Sequence, residues 1–229
     1  MVREREGRET EPTAGIIDAQ SVRAAASVPA ASRGYDGGKK VPGRKRHIVT
    51  DCLGLLLVVA VTAANIPDRD AAIGVLGRLR SLHHEITLAW ADGGYTGGLV
   101  DWAKEKLDLT LQIVKRTDDM EGFVVLPRRW VVERTCAWLM HSRRLARDYQ
   151  TLPAASEAMI RRSMITRMGR RLARPRAGGQ TLNIPDASWT NHPRSARRFA
   201  FDRTPSRASA SSSRAITRRS SSISAASSA

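Results

Sequence analysis

Three carboxylates hold positions from which they could act together. Asp18 closes the apolar run Gly15-Ile16-Ile17, Asp92 closes the run from Ile86 to Ala91, and Glu133 lies among Val131, Val132 and Trp138 in an amphipathic segment. Strand ends present ligands rigidly, and a helix laid across a sheet can bring a third. Hard divalent cations such as Mg²⁺ take oxygen ligands and keep positions for water and phosphate. Three convergent carboxylates could hold two such ions ~3.5–4 Å apart, one serving an attacking oxygen and one a leaving oxygen. Arg129 stands one helical turn before Glu133, where it could orient that carboxylate or reach a phosphate. Each residue also has a plainer reading. An Asp after a strand is commonly a turn former or cap, and Glu133 beside Arg129 and Arg134 could be a surface ion pair.

The elements that would position these groups can be read from apolar periodicity. Residues 1–14 form a charged lead-in, the last turn of a helix, and a short strand follows at residues 15–18. Residues 21–46 show little periodicity and read as a loop, with Lys39, Lys40, Arg44, Lys45 and Arg46 concentrated in it. Flanking a metal site, such a loop would grip phosphates without reading bases, although a solvated turn would look the same. Two β-like runs, His47–Cys52 and Leu55–Ala63, are joined at Leu53-Gly54. Pro67, Asp68 and Asp70 open a helix carrying Ile73, Leu76 and Leu79. A strand at residues 86–92, a helix over Gly98–Leu107 and a strand over Leu109–Val114 come next. The longest helical signal runs from Leu126 to Leu145, and a second helix from about Ala154 to Leu172. The order predicts an α/β fold, a mixed sheet flanked by helices. No internal repeat is present.

Composition narrows the partner. The chain has 229 residues, a formal charge of +16, a pI near 11.2 and 41% hydrophobic residues, which suits a packed core with a polyanionic ligand. Residues 174–229 carry ten basic and two acidic residues, half of the excess, in a Ser/Ala/Arg-rich stretch that cannot bury a core and reads as a disordered tail. Cys52 and Cys136 have no CxxC neighbour, which argues against a disulfide scaffold or a zinc site and for a reduced cytoplasmic setting. The run Leu53–Ala64 is too short to span a bilayer, and the charged N-terminus lacks the apolar core of a signal peptide. His47 reads as structural and His83-His84 as a surface pair at a helix end. Trp90, Trp102, Trp130 and Trp138 read as packing residues. Gly93-Gly94 and Gly97-Gly98 lack the spacing of a phosphate-binding fingerprint.

Over about residues 5–173, the segments IIDAQSV, RGYDGGKKVPGRKRHIVTDCLGLLL, NIPDRDAA, WADGGYTGGLVDW, LTLQIVKR and GFVVLPRRWVVERTCAWLMHSRRLARDYQTLP follow in series. Together they resemble the catalytic core of transposases of the insertion-sequence-five group, in the insertion-sequence-four-like division of the DDE superfamily. The resemblance implies an RNase H-like domain over residues 15–173 that cuts and joins DNA with two Mg²⁺ or Mn²⁺ ions. It maps the metal ligands onto Asp18, Asp92 and Glu133, and the arginine of the R-x-x-x-E signature onto Arg129. The signature's tyrosine is Leu126 here, and its later basic residue is Met140, with Arg143 or Arg144 as candidate substitutes. The implied partners are DNA, as transposon ends and target, and a second copy of the chain, with no membrane, no small-molecule substrate and a bacterial, nucleoid-associated location. Family members usually carry a helical DNA-binding region before the first Asp. That leads to the expectation of an N-terminally truncated enzyme or, alternatively, an inactive remnant that binds DNA non-specifically or inhibits a full-length relative. A simple basic nucleic-acid-binding protein would leave the serial motifs unexplained.

Overall fold

Adjacent residues on the central strands bury into different cores, which fixes the architecture. The computed structural model describes residues 2–114 and 127–175, with the side chains of 127–129 excepted. Strand β1 is Ala14–Arg23, β2 Gly34–Asp36, β3 Val41–Thr50 and β4 Leu56–Ala63; β5, Leu88–Ala91, and β6, Thr110–Ile113, complete the sheet. Helices α1 (Val2–Arg5), α2 (Asp68–Leu82), α3 (Gly98–Leu107), α4 (Pro127–Met140) and α5 (Pro153–Ala173) accompany them. Because successive side chains on a strand point to opposite faces, Ile17, Val49 and Val58 join one core with Val75, Leu76 and Leu79 of α2 and Leu99 and Ala103 of α3. Ile16, Ile48 and Val59 join the other, with Val132, Cys136 and Leu139 of α4 and Ile160 and Met164 of α5. Each fully buried Leu or Ile contributes roughly 1.5–3 kcal/mol, so both helical layers are held mainly by apolar burial.

The sheet has antiparallel β4–β3–β1 pairing, then parallel β1–β5 and β5–β6 pairing, with β2 adding to β3. A three-stranded antiparallel unit extended by two parallel strands, with helices on both faces, is the RNase H-like arrangement. Helix α2 carries the chain from β4 to β5, and α3 from β5 to β6. Asp68 and Asp70 occupy the first turn of α2, where they complement its dipole. Near the other end of α2, Arg80 donates to Leu107 O and Ile86 O, fastening the helix to the start of β5 and the end of α3.

Residues 21–46 are not the continuous loop that their basic composition suggests. Strand β1 runs past Asp18 to Arg23, because Gln20, Ser21 and Val22 pair with Arg46, Lys45 and Arg44 of β3. At Gly43 the two strands come so close that a Cβ would lie 2.0 Å from Val22 O, which leaves room only for glycine. The charged lead-in is docked: Val2 is buried, and Arg3 donates to the buried Asp51 at 2.5 Å. Asp51 in turn accepts from Leu53 N and Leu55 N and shapes the β3–β4 turn. Helix α4 ends at Met140, five residues before the expected end, and residues 141–147 form turns in which Ser142 Oγ meets Ser163 Oγ of α5 at 2.8 Å. The tail over residues 176–229 and Leu126 lie outside the described residues.

Candidate active site

Strand register places two of the three carboxylates side by side. In the parallel β1–β5 pair Ile16 opposes Trp90. Two residues further along each strand come Asp18 and Asp92, at the same level on neighbouring strands whose spacing is ~4.8 Å. Asp18 is therefore in mid-strand, not at a strand end, while Asp92 follows the last residue of β5. Ile16 and Trp90 both pack into the α4 core, so the two-residue period assigns Asp18 and Asp92 to the α4 face. Gln20 continues that row and donates from Nε2 to Cys136 O at 3.4 Å. Glu133, next to the buried Val132 and one turn before Cys136, is contributed by the helix above. All three carboxylates are half-buried.

Their neighbours register the charge. Burial pushes the Cys136 thiol up to about 12, and Asp18 and Glu133 add to the shift. Tyr95, fully buried, has its hydroxyl shifted upward by burial first and then by Asp18, Asp68 and Asp92. Local hydrogen bonds set the present side-chain positions: Asp18 Oδ1 accepts from Ala19 N at 2.8 Å, and Asp92 Oδ1 accepts from Gly94 N at 2.8 Å. Among the described residues no three His, Cys, Asp or Glu side chains are already gathered into a group that could hold a metal ion. The donor chemistry nevertheless suits a hard divalent cation, since all three groups are carboxylates on one face.

The remaining candidates separate into distinct groups. Lys39 reaches the rim of the site, donating from Nζ to Ala19 O at 2.8 Å, and Lys40 is exposed beside it with φ +55°. Arg44 and Lys45, expected to be phosphate contacts, are interior residues. Arg44 is 0% exposed and donates to Ser32 O, Gln150 O and Thr151 O while pairing with Asp148 at 3.4 Å. Lys45 lies between Asp68 at 2.9 Å and Asp36 at 3.7 Å. These acceptors leave neither cation available to DNA. Arg46 is buried beside Gln20 on the α4 face, and burial lowers its pKa against the pull of Asp148. Arg143 and Arg144 are exposed in the turn after α4. Arg129 has its backbone in α4, but its side chain lies outside the described residues.

Tyr95 and Gln20 escaped the sequence reading. The signals were present: Gln20 is two positions after Asp18 and so shares its face, and Tyr95 follows Asp92 across a Gly-Gly turn and is buried in the core with α2 and α3. Trp130, expected to pack, is 39% exposed. His47 is structural as read. It is fully buried, its Nε2 lies 2.9 Å from Thr62 Oγ1, and burial lowers its pKa from 6.5 to about 4. The unfolded imidazole therefore protonates at higher pH than the folded one. Stability is expected to be highest above pH 6.5, to fall as pH drops toward 4, and to lose no more on this residue's account below that. Urea midpoints measured across that window should show the slope, and His47→Gln should flatten it.

Among the described residues no helix is long and apolar enough to cross a membrane. Residues 9–168 match the model of the family described as "Transposase DDE domain". The chain is 34% identical over 111 residues to the "Putative transposase for insertion sequence element IS402" of Burkholderia cepacia, covering 45% of this chain and 52% of that relative. It thus spans about half the length of the curated relative. It also resembles a chain of the simian T-cell lymphotropic virus intasome solved in complex with PP2A regulatory subunit B56 gamma. That likeness has 13% identity and a TM-score of 0.44, and covers 81% of this chain and 62% of the other.

Proposed function

From the chain's membership of the transposase DDE domain family, which the match over residues 9–168 establishes, we propose that it carries a catalytic centre for DNA strand cleavage and transfer. The observation that supports this reading most directly is the β1–β5 register, which sets Asp18 and Asp92 level with each other beneath the helix that bears Glu133. These three are assigned as ligands of two Mg²⁺ or Mn²⁺ ions. Bound there, such ions would supply Lewis acidity to the attacking and leaving oxygens of an in-line phosphodiester displacement. Asp18 keeps its position because β1 is paired on both sides, Asp92 because it caps the turn over Gly93–Tyr95 directly after β5, and Glu133 because Val132, Cys136 and Leu139 anchor α4.

Around that centre, Lys39 and Lys40 on one rim, and Arg143 and Arg144 beyond the end of α4, are assigned to DNA phosphates, contacts that give affinity without base specificity. Arg129, one turn before Glu133, is assigned to orienting that carboxylate or meeting a substrate phosphate. Residues 15–173 would form the catalytic domain, with residues 174–229 as a separate basic extension. Transposon ends and target DNA are the proposed substrates, a second copy of the chain the proposed partner, and the bacterial cytoplasm near the nucleoid the proposed location. The reading is tested by incubating the purified chain with supercoiled DNA carrying the element's ends. Nicking in Mg²⁺ or Mn²⁺ that stops with EDTA supports it, and DNA left intact in both ions counts against a competent centre.

A further inference from the structure

Away from the carboxylates, α4 turns a second face toward α5, and that face is cationic. A cleft of about 350 Å³ opens between the β3–β4 turn, α4 and α5, and it is lined by Arg134, Trp138, Arg167, Arg170, Arg171 and Arg174. Two of these guanidiniums lie over the Trp138 ring, Arg167 at 4.1 Å and Arg134 at 4.7 Å from its centroid. Such contacts hold cations in place against mutual repulsion.

The repulsion is evident in the protonation equilibria. Burial lowers the Arg167 pKa first, then Arg170, Arg174 and Arg134 lower it further. Arg134 is lowered by burial and then by Arg171. Arg171 pairs with Glu6 at 3.2 Å and donates to Leu53 O. Among the described residues Arg134, Arg167, Arg170 and Arg174 make no ion pair, and the buried Nε of Arg134 has no hydrogen-bond partner. Like charges gathered without acids lower stability unless an anion completes them.

We infer that this arginine cleft is a second DNA contact, a clamp for the phosphate backbone of duplex DNA that is separate from the carboxylate centre. The inference rests on the reading of the chain as a DNA-acting protein. Two features favour backbone over bases. Guanidinium forks match phosphate oxygens, and Trp138, with two guanidiniums over it, is already engaged and does not serve as a platform for a base. The neighbouring groove extends the cationic surface, since Arg143, Arg144 and Arg162 line it together with Arg167 and Arg170. Duplex leaving the carboxylate centre along α4 would meet both.

The test is fluorescence anisotropy of a short duplex of arbitrary sequence with the full chain in EDTA, across about 50–200 mM KCl. Arg170 and Arg174 are exposed, so Arg170→Gln with Arg174→Gln leaves the core intact. Removing one phosphate-binding charge should flatten the plot of log affinity against log salt by about 0.9. The double variant should therefore lose nearly two units of slope, and adding Arg167→Gln should remove about one more. Arg167→Lys, which keeps the charge, should restore most of that last unit. Slopes and affinities equal to wild type in both Gln variants, with unchanged thermal unfolding, would overturn the inference. Binding in EDTA is read independently of nicking, so an inactive wild type with a salt slope that depends on these arginines defeats the catalytic proposal alone.

Discussion

Asp92→Asn is expected to reduce metal-dependent nicking of DNA on the order of 10³-fold or more while leaving DNA binding in EDTA at the wild-type level. The substitution suits the question because it separates charge from shape. An amide oxygen can still accept from Gly94 N, as Asp92 Oδ1 does at 2.8 Å, so the turn over Gly93–Tyr95 should persist. What disappears is one negative charge level with Asp18 on the neighbouring strand. A divalent ion that uses both carboxylates would lose a ligand and half of its strand-borne counter-charge. Glu133→Gln should behave alike, since Val132, Cys136 and Leu139 anchor the helix that carries it. Full activity of Asp92→Asn in Mg²⁺ would refute the site assignment, whatever the family.

Arg44→Ala is expected to destabilise the protein by about 3–5 kcal/mol, the effect of stranding a buried charge. For a domain of this size that corresponds to a fall in Tm of roughly 10 °C. Arg44 has no exposed surface, and its removal would leave Asp148 without its cation and the carbonyls of Ser32, Gln150 and Thr151 without this donor. Ser156 Oγ also donates to Asp148 at 2.7 Å, so the start of α5 would be loosened. Arg44→Lys should fall between, because one ammonium cannot reach acceptors arranged for a planar fork. Calorimetry separates this from a surface role. If Arg44 instead gripped DNA, Arg44→Ala would keep its Tm and lose salt-dependent binding.

The apolar helices are legible in the sequence because their burial follows a local period. Helix α2 starts directly after Pro67 as read, α3 has the expected bounds Gly98–Leu107, and α5 differs from its reading by a residue at each end. The stretch from Ser21 to Arg46 is not legible in that way. Arg44 and Lys45 in it are paired with Asp36, Asp68 and Asp148, of which Asp148 lies more than a hundred positions away, so a buried strand resembles a solvated loop. Likewise the apolar stripe from Val131 to Leu145 overruns α4, because Leu145 is buried by a turn that folds back and not by a continuing helix. For the site, residue type and position make Asp18, Asp92 and Glu133 candidates, and the resemblance of the serial motifs to the transposase family is what singles them out. The shared level of the two aspartates depends on β1–β5 register, which pairs segments far apart in the chain and leaves no local mark.

The same register bears on when the centre can exist. Strand β5 cannot take its place beside β1 until β2, β3, β4 and α2 have been made, and α4 comes later still. Contacts between distant segments form last, once loop closure has been overcome. A chain emerging from the ribosome, or one cut short before residue 133, would thus hold isolated carboxylates with no helix above them. On the proposed assignment, the capacity to break DNA belongs to the completed domain, and the order of synthesis itself keeps partial products harmless.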